Sequence, residues 1–173
     1  IEDAHNFRKV IEEGIAHAKN GRLVTFGITP DSPETGFGYI ESFQELSINI
    51  SSSKIKRFIE KPDLYSAKVF FKDKHFVWNS GIFLFKASTI LGELEKFQPT
   101  MLQLCHKSLN DGEEDLDFFR INPKSFKQCS SLPIDIAVME KTTLGTVLKL
   151  NAGWDDIGSW RSVWENSKKD ENG

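Results

Sequence analysis

The sequence predicts an α/β domain in which helices flank a mixed, mainly parallel sheet. Three observations support this class. A helical stretch opens the chain, with apolar residues at three- to four-residue spacing. Short apolar runs then alternate with further helical stretches, as strands and helices do in layered α/β folds. With 173 residues, 39% of them hydrophobic and 27% charged, the chain is long enough to form one domain with its own core.

The first part of the chain predicts one helix followed by three strands. The helix begins after Asp3, a suitable N-cap, and ends at Asn20-Gly21, a typical stop signal. The next apolar run, residues 23–28, is short, as in a buried strand. The segment that follows it, residues 30–36, is rich in proline and glycine and predicts a turn. The predicted strands cover residues 23–28, 37–41 and 54–60.

The rest of the sequence predicts mainly helices. Two of them begin with a proline, Pro99 and Pro133, and proline is tolerated in the first turn of a helix. The helices are predicted over residues 64–71, 87–97, 99–108, 115–120, 123–128, 133–141 and 157–167. Two further strands are predicted over residues 81–85 and 146–150.

Composition and charge exclude several classes of function. Lysine plus arginine numbers 22 and aspartate plus glutamate 25, a net charge of −3, which argues against nucleic-acid binding. No apolar run approaches the roughly 20 residues of a membrane span, so we expect no membrane partner. Cys105 and Cys129 lie in no CxxC pattern, and two free thiols suit a reducing compartment. We therefore expect a cytoplasmic domain.

Polar residues cluster where predicted strands meet loops, which is where ligands bind in open α/β sheets. Gly36 and Gly38 would let a ligand approach the backbone closely, although a plain turn is the commoner role of two glycines. Glu60 could accept hydrogen bonds from sugar hydroxyls, while Lys61 could contact a phosphate. A solvated ion pair at the end of a strand is the alternative for these two residues.

Two more polar groups are candidates for binding. Asp155 and Asp156 precede a glycine between two tryptophans, and a carboxylate here could hold Mg²⁺. The competing interpretation is an N-cap of the following helix, and the spacing does not decide which aspartate takes which role. Asn79 offers both a donor and an acceptor to a hydroxylated ligand, although an asparagine in a turn is the commoner case.

Five motifs follow one another along the chain: TGFGYI (35–40), FIEKP (58–62), WNSGIF (78–83), IDIAVMEK (134–141) and WDDIGSW (154–160). Together they resemble the mannose-1-phosphate guanylyltransferases, a group within the sugar-phosphate nucleotidyltransferase family. The resemblance extends from Ile1 to Trp164. It implies a Rossmann-like nucleotidyltransferase fold and the transfer of a guanylyl group from GTP to mannose 1-phosphate with Mg²⁺ as cofactor.

The resemblance also implies roles for individual residues, with Lys61 and Asp156 as the catalytic ones. Asp135 lies in a characteristic segment of the family but receives no assigned role. By position, Gly38 with Gly36 beside it matches the glycine backbone that faces the sugar, Glu60 and Asn79 match sugar-binding residues, Lys61 matches the lysine near the sugar phosphate, and Asp156 matches a metal-binding aspartate.

Similar enzymes begin with a glycine-rich nucleotide loop, GGxGxRLxP, and carry a second metal aspartate just before a segment like residues 1–7. Neither is present in this sequence. We therefore expect residues 1–167 to be the C-terminal portion of an N-terminally truncated nucleotidyltransferase domain, and residues 168–173 to be a polar tail or linker.

Two alternatives stay open on this basis. One is a catalytically inactive fragment that only binds a sugar phosphate. The other is a relative that uses another pair of substrates, such as glucose 1-phosphate with UTP or dTTP. The oligomeric state is also open, a homo-oligomer included.

Overall fold

The computed structural model describes residues 1–170, apart from the side chain of Arg161. Its strands and helices alternate in an α/β arrangement with a mixed sheet, which confirms the predicted class. The strands are β1 (Leu23–Ile28), β2 (Tyr39–Ser42), β3 (Ser52–Ile59), β4 (Phe76–Leu84), β5 (Glu113–Asp115), β6 (Phe118–Arg120) and β7 (Gly145–Lys149).

Most of the predicted helices are present. The α-helices are α1 (Ala4–Lys19), α2 (Leu64–Phe71), α3 (Ala87–Phe97), α4 (Pro99–Asn110), α5 (Pro123–Phe126) and α6 (Trp160–Asn166), and a π-helical turn covers Asp135–Met139. Among the helices of the described residues, none combines the length and the apolar character that a bilayer crossing requires.

Helix α1 shows how local signals set the ends of an element. The Asp3 side chain accepts a hydrogen bond from the Asn6 amide at 2.9 Å, and Gly21 leaves the helix at a φ of +77°. Both ends confirm the prediction. The apolar face of the helix packs on one side of the sheet, where Ala18 is buried with Val24, Phe26, Leu148, Leu150 and Ala152.

The main sheet has the strand order β1-β4-β2-β3-β7, and β7 pairs with β1 as well as with β3, so the five strands close on themselves. Only the β1–β7 pairing is parallel; the other four are antiparallel. The predicted predominance of parallel strands is therefore wrong. β2 returns directly into β3 through residues 43–51 without a helix, and such a return makes neighbouring strands antiparallel.

The second side of the sheet holds the largest core cluster. Leu23, Ile40, Val77 and Val147 from four strands pack there against residues of α3 and of the π-helical turn. The helical members of this cluster are Ile90, Ala137, Val138 and Met139. The π-helical turn is thereby attached to the sheet by burial of its apolar face.

The predicted helix over residues 115–120 is wrong, because this segment forms the β5–β6 hairpin. Asp115 and Phe118 are paired across a two-residue turn, in which Leu116 has a φ of +53°. Arg120 forms an ion pair with Asp115 across the hairpin. A helix of six residues is marginal in water, whereas the hairpin closes its ladder and its ion pair locally.

Several predicted boundaries differ from the observed ones by a few residues, and the predicted tail, residues 168–173, lies only partly within the described residues. The segment predicted as a helix over residues 133–141 contains a π-helical turn, in which the Glu140 amide donates to the Asp135 carbonyl at 2.9 Å. The last helix starts at Trp160 rather than at residue 157 because Ser159 is its N-cap. Within the predicted tail, Lys169 Nζ donates to the Trp164 carbonyl at 2.8 Å, and residues 171–173 lie outside the described residues.

Candidate active site

All five sequence motifs contribute side chains to one cleft of about 340 Å³. A larger cavity of about 630 Å³ lies beside the β5–β6 hairpin, but it contains none of these motifs. The predicted site residues that line the cleft are Gly36, Glu60, Lys61, Asn79 and Asp156. The structure thus brings together residues that are far apart in the sequence.

Gly38 lies buried behind the cleft, directly under the Glu60 carboxylate. A Cβ atom at Gly38 would come within 2.8 Å of Glu60 Oε2 and 3.5 Å of Asn79 Cβ. The Gly38 carbonyl also accepts a hydrogen bond from the Asn79 amide at 2.8 Å. Gly36 differs, because a Cβ atom there would meet nothing within 4 Å. The absence of a side chain at Gly38 therefore makes room for Glu60, whereas Gly36 leaves open space at the cleft.

Glu60 and Lys61 follow the end of β3 and form an ion pair, with 3.6 Å between Lys61 Nζ and Glu60 Oε1. The Glu60 side chain is 16% exposed and that of Lys61 63% exposed. Burial raises the pKa of Glu60, the charge of Asp135 raises it further, and Lys61 lowers it in part. Lys61 has a φ of +46°, and such unusual backbone conformations cluster at ligand sites.

Asn79 lies within β4 rather than in a turn, and it is held in a hydrogen-bonded network. Its Oδ1 accepts from the buried Thr25 hydroxyl at 2.9 Å, and its Nδ2 donates to Asp135 Oδ1 at 3.0 Å. The alternative of a turn asparagine is therefore wrong. Because an amide has two donor hydrogens and two acceptor lone pairs, Asn79 keeps one donor and one acceptor for another partner.

Asp135 lines the cleft beside Asn79, although the sequence suggested no role for it. The π-helical turn places Asp135 and Glu140 so that both reach the site, since Glu140 Oε1 accepts from the Glu60 amide at 3.2 Å. Turns of this type occur often at functional sites. Apart from its position in the fourth motif, no sequence signal distinguishes Asp135 from an exposed helical aspartate.

A loop, residues 151–158, also lines the cleft through Trp154 and Asp156. Asp156 is exposed, and its carboxylate has no hydrogen-bond partner among the described side chains and backbone. Asp155 Oδ1 accepts from the Ile157 amide at 2.8 Å. Because Ser159 caps α6 instead, accepting from the Ser162 amide at 3.1 Å, the predicted capping role is wrong for both aspartates.

An aromatic row connects this loop to the glycine segment. The ring of Phe37 lies between two tryptophans, with centroid distances of 5.1 Å to Trp78 and 5.5 Å to Trp154, both edge-on. Edge-on aromatic pairs are favourable beyond the area that they bury. The loop is also attached to the start of the chain, where the Glu2 amide donates to the Ala152 carbonyl at 2.9 Å. Sequence inspection missed Phe37 and Trp154 as parts of the cleft.

Comparison with known proteins identifies the family, since the nucleotidyl transferase family model matches residues 1–173. The chain belongs to this family. It is 44% identical over 177 residues to a mannose-1-phosphate guanylyltransferase of Salmonella montevideo, and 40% identical over 168 residues to that of Escherichia coli (strain K12). It is also 43% identical over 173 residues to the xanthan biosynthesis protein XanB of Xanthomonas campestris pv. campestris.

These matches cover 100%, 95% and 100% of this chain, respectively. They cover only 37%, 35% and 36% of the relatives. The chain therefore spans little more than a third of the length of the curated relatives that it matches.

Two solved structures share the fold of this chain. A crystal structure described as mannose-6-phosphate isomerase from Helicobacter pylori superposes with a TM-score of 0.81 at 39% identity, covering 90% of this chain and 60% of that chain. One described as mannose-1-phosphate geranyltransferase from Thermus thermophilus gives a TM-score of 0.78 at 25% identity, covering 93% and 44%.

Proposed function

We propose that the protein containing this chain transfers a guanylyl group from GTP to mannose 1-phosphate, giving GDP-mannose and pyrophosphate. The observation that carries the proposal is the convergence of all five motifs on one cleft. The relatives named mannose-1-phosphate guanylyltransferase, 40–44% identical over nearly the whole chain, support the choice of substrates. Two free thiols suit the cytoplasm as the compartment of this reaction.

The sugar ring would lie against the side of the cleft that is already hydrogen-bonded. Glu60 and Asp135 offer carboxylate oxygens to hydroxyl donors, and Asn79 offers its remaining donor and acceptor. The open space at Gly36 would let the backbone approach the ligand closely. Fixed polar groups of this kind orient a hydroxylated ligand, which supports the predicted roles of these residues.

Lys61 would hold the phosphate of the sugar substrate. Its ammonium group is a point charge on a long, exposed side chain and can leave Glu60 for a stronger anion. A phosphate oxygen held in this way attacks the α-phosphorus of GTP in line with the departing pyrophosphate. Such transfers depend on positioning and charge neutralisation rather than on a covalent nucleophile.

Asp156 suits a magnesium ligand, because Mg²⁺ in phosphate sites binds through one or two carboxylates, substrate phosphates and water. Its carboxylate is exposed at the cleft without a hydrogen-bond partner in the described chain. When bound, Mg²⁺ neutralises phosphate charge and orients the phosphate groups. We propose Asp156 for this role because of its exposure at the cleft that the five motifs line.

The test is pyrophosphate release by the full natural protein, with Mg²⁺ and a panel of sugar 1-phosphates and nucleoside triphosphates. We expect turnover with mannose 1-phosphate and GTP and little with other pairs. Turnover confined to glucose 1-phosphate with UTP or dTTP would replace the proposed substrates. If no pair is turned over while mannose 1-phosphate still binds, the protein is a sugar-phosphate-binding relative without this activity.

A further inference from the structure

The two cysteines of the chain lie side by side, although 24 positions separate them in the sequence. Cys105 is on α4 and Cys129 follows α5, and 4.0 Å separates their sulfur atoms. Both residues are half-buried, so small solutes can reach the pair. Neither residue lines the cleft described above.

Backbone hydrogen bonds keep the two cysteines in this arrangement. The Asn122 amide at the start of α5 donates to the Ser108 carbonyl of α4 at 2.8 Å. At the other end of α5, the Cys129 amide donates to the Phe126 carbonyl at 3.0 Å. The proximity of the sulfurs therefore follows from the docking of α5 on α4 and does not depend on the two side chains alone.

We propose that Cys105 and Cys129 form a reversible intramolecular disulfide, with low-molecular-weight disulfides such as oxidised glutathione as the oxidant. A disulfide bond is about 2.05 Å long, so the sulfurs have to approach each other by about 2 Å. The bond would connect α4 to the end of α5 and close a loop that contains the β5–β6 hairpin. It requires neither GTP nor a sugar phosphate, and it is independent of the function proposed above.

The reaction balances in two exchange steps. A cysteine thiolate of the protein attacks one sulfur of oxidised glutathione, forming a mixed disulfide and releasing one glutathione thiolate. The second cysteine thiolate then attacks the protein sulfur of the mixed disulfide and releases the second glutathione. The protein loses two protons and two electrons, and one oxidised glutathione becomes two reduced ones.

The surroundings of the pair predict the relative rates of the two steps. Burial raises the pKa of the Cys105 thiol, and the neighbouring Cys129 raises it further. Because the thiolate is the nucleophile, a raised pKa slows attack on a disulfide in solution. The second step has its partner 4.0 Å away and proceeds faster. A glutathione adduct should therefore not accumulate on the wild-type protein.

The experiment maps the bond by mass spectrometry. The full natural protein is equilibrated with mixtures of oxidised and reduced glutathione, its free thiols are blocked with N-ethylmaleimide, and it is digested with trypsin. Residues 97–107 and 128–141 form tryptic peptides that contain one cysteine each. We expect a linked pair of these peptides that separates on reduction. Blocked thiols on both peptides at every mixture, or stable glutathione on both, would overturn the proposal.

Single substitutions test whether each cysteine resolves the other. In C105S and C129S the remaining cysteine lacks its partner, so we expect each variant to retain one glutathione at a level at least about 10-fold above the wild type. Equal retention in the wild type and both variants would refute the proposal. C105A and C129A serve as second variants if a serine at either position disturbs folding, and the peptide map of the wild type requires no variant.

Discussion

The two sides of the cleft are built in opposite ways. On the buried wall, formed by Glu60, Asn79 and Asp135, the side chains are engaged in hydrogen bonds or ion pairs, and Thr25 supports Asn79 from behind. On the exposed wall, formed by residues 151–158, the Asp156 carboxylate has no partner among the described residues. A fixed wall suits recognition of the sugar, and a solvated wall suits a metal and phosphates that arrive with each substrate.

Burial explains this difference. A polar group removed from water must find a partner within the protein, so the buried wall forms a network before any ligand arrives. An exposed carboxylate keeps its water until a cation replaces it. Changes in the buried wall should therefore alter both stability and sugar binding, whereas a change confined to the exposed Asp156 carboxylate should alter activity alone.

The largest effect is expected for D156N on the exposed wall. Loss of the carboxylate should lower kcat of the full protein roughly 100-fold or more, because metal-held phosphates contribute several kcal/mol to the barrier. The melting temperature should not change. D155N is the matched control, since an asparagine can also accept the hydrogen bond from the Ile157 amide. Wild-type turnover of D156N at ordinary Mg²⁺ would refute the metal role.

On the buried wall, T25V should affect both stability and binding. Removing the hydroxyl leaves Asn79 Oδ1 without its donor, which should lower the free energy of unfolding by about 1–3 kcal/mol and raise KM for mannose 1-phosphate. T25S keeps the hydroxyl and should raise KM little, although it also loses stability through the missing methyl group. Urea unfolding and steady-state kinetics measure both quantities. Equal KM increases in the two variants would contradict the positioning role.

Substitutions of the two glycines, Gly36 and Gly38, should have smaller effects, and the two variants can be compared directly. In G38A the new Cβ would press on the Glu60 carboxylate, so we expect KM for the sugar phosphate to rise about 10-fold. G36A places its methyl group in open space, so its stability should stay within about 0.5 kcal/mol of the wild type. Any rise of KM in G36A should be the smaller one. A wild-type KM for G38A would show that the position of Glu60 does not matter.

The smallest effect concerns the pH dependence of stability. Since folding raises the pKa of Glu60, the folded state holds this proton more tightly than the unfolded state. The ordinary pKa of this carboxyl group is 4.5. As the pH rises from 4.5 through the higher pKa of the folded state, ionisation of Glu60 therefore lowers the stability of the protein. E60Q should be more stable than the wild type at pH 7, and it should lose this advantage as the pH falls to 4.5 and below. Urea titrations at pH 7 and about pH 4 test this, and an advantage that grows on acidification would contradict it.

Sequence inspection was accurate where short-range signals dominate. The caps of α1 and the extents of α2 and α3 follow from residues within a few positions of each end, and the structure agrees. It failed for residues 115–120 and for the π-helical turn. In residues 115–120 a local helical pattern competes with a hairpin, whose exposed strands are held by their own ladder and ion pair. In the π-helical turn, by contrast, burial of Ala137, Val138 and Met139 in the core overrides the regular helical pattern.

The same distinction holds for the candidate site. The motifs pointed to Glu60, Lys61, Asn79 and Asp156, which the structure brings into one cleft, while their chemical roles stay predictions. Asp135 could not be singled out, because its importance depends on contacts with residues 56 and more positions away.

The sequence by itself determined the α/β class, the positions of most helices and strands, and the motifs that mark the family, because each depends on periodicity, capping or residue identity over a few positions. Tertiary structure decided the mainly antiparallel sheet, the hydrogen-bonded network around Asn79 and the proximity of the two thiols. These features depend on which distant segments pack together. Local sequence does not distinguish between the possible arrangements, so the free energy of burial summed over the whole core determines which one forms.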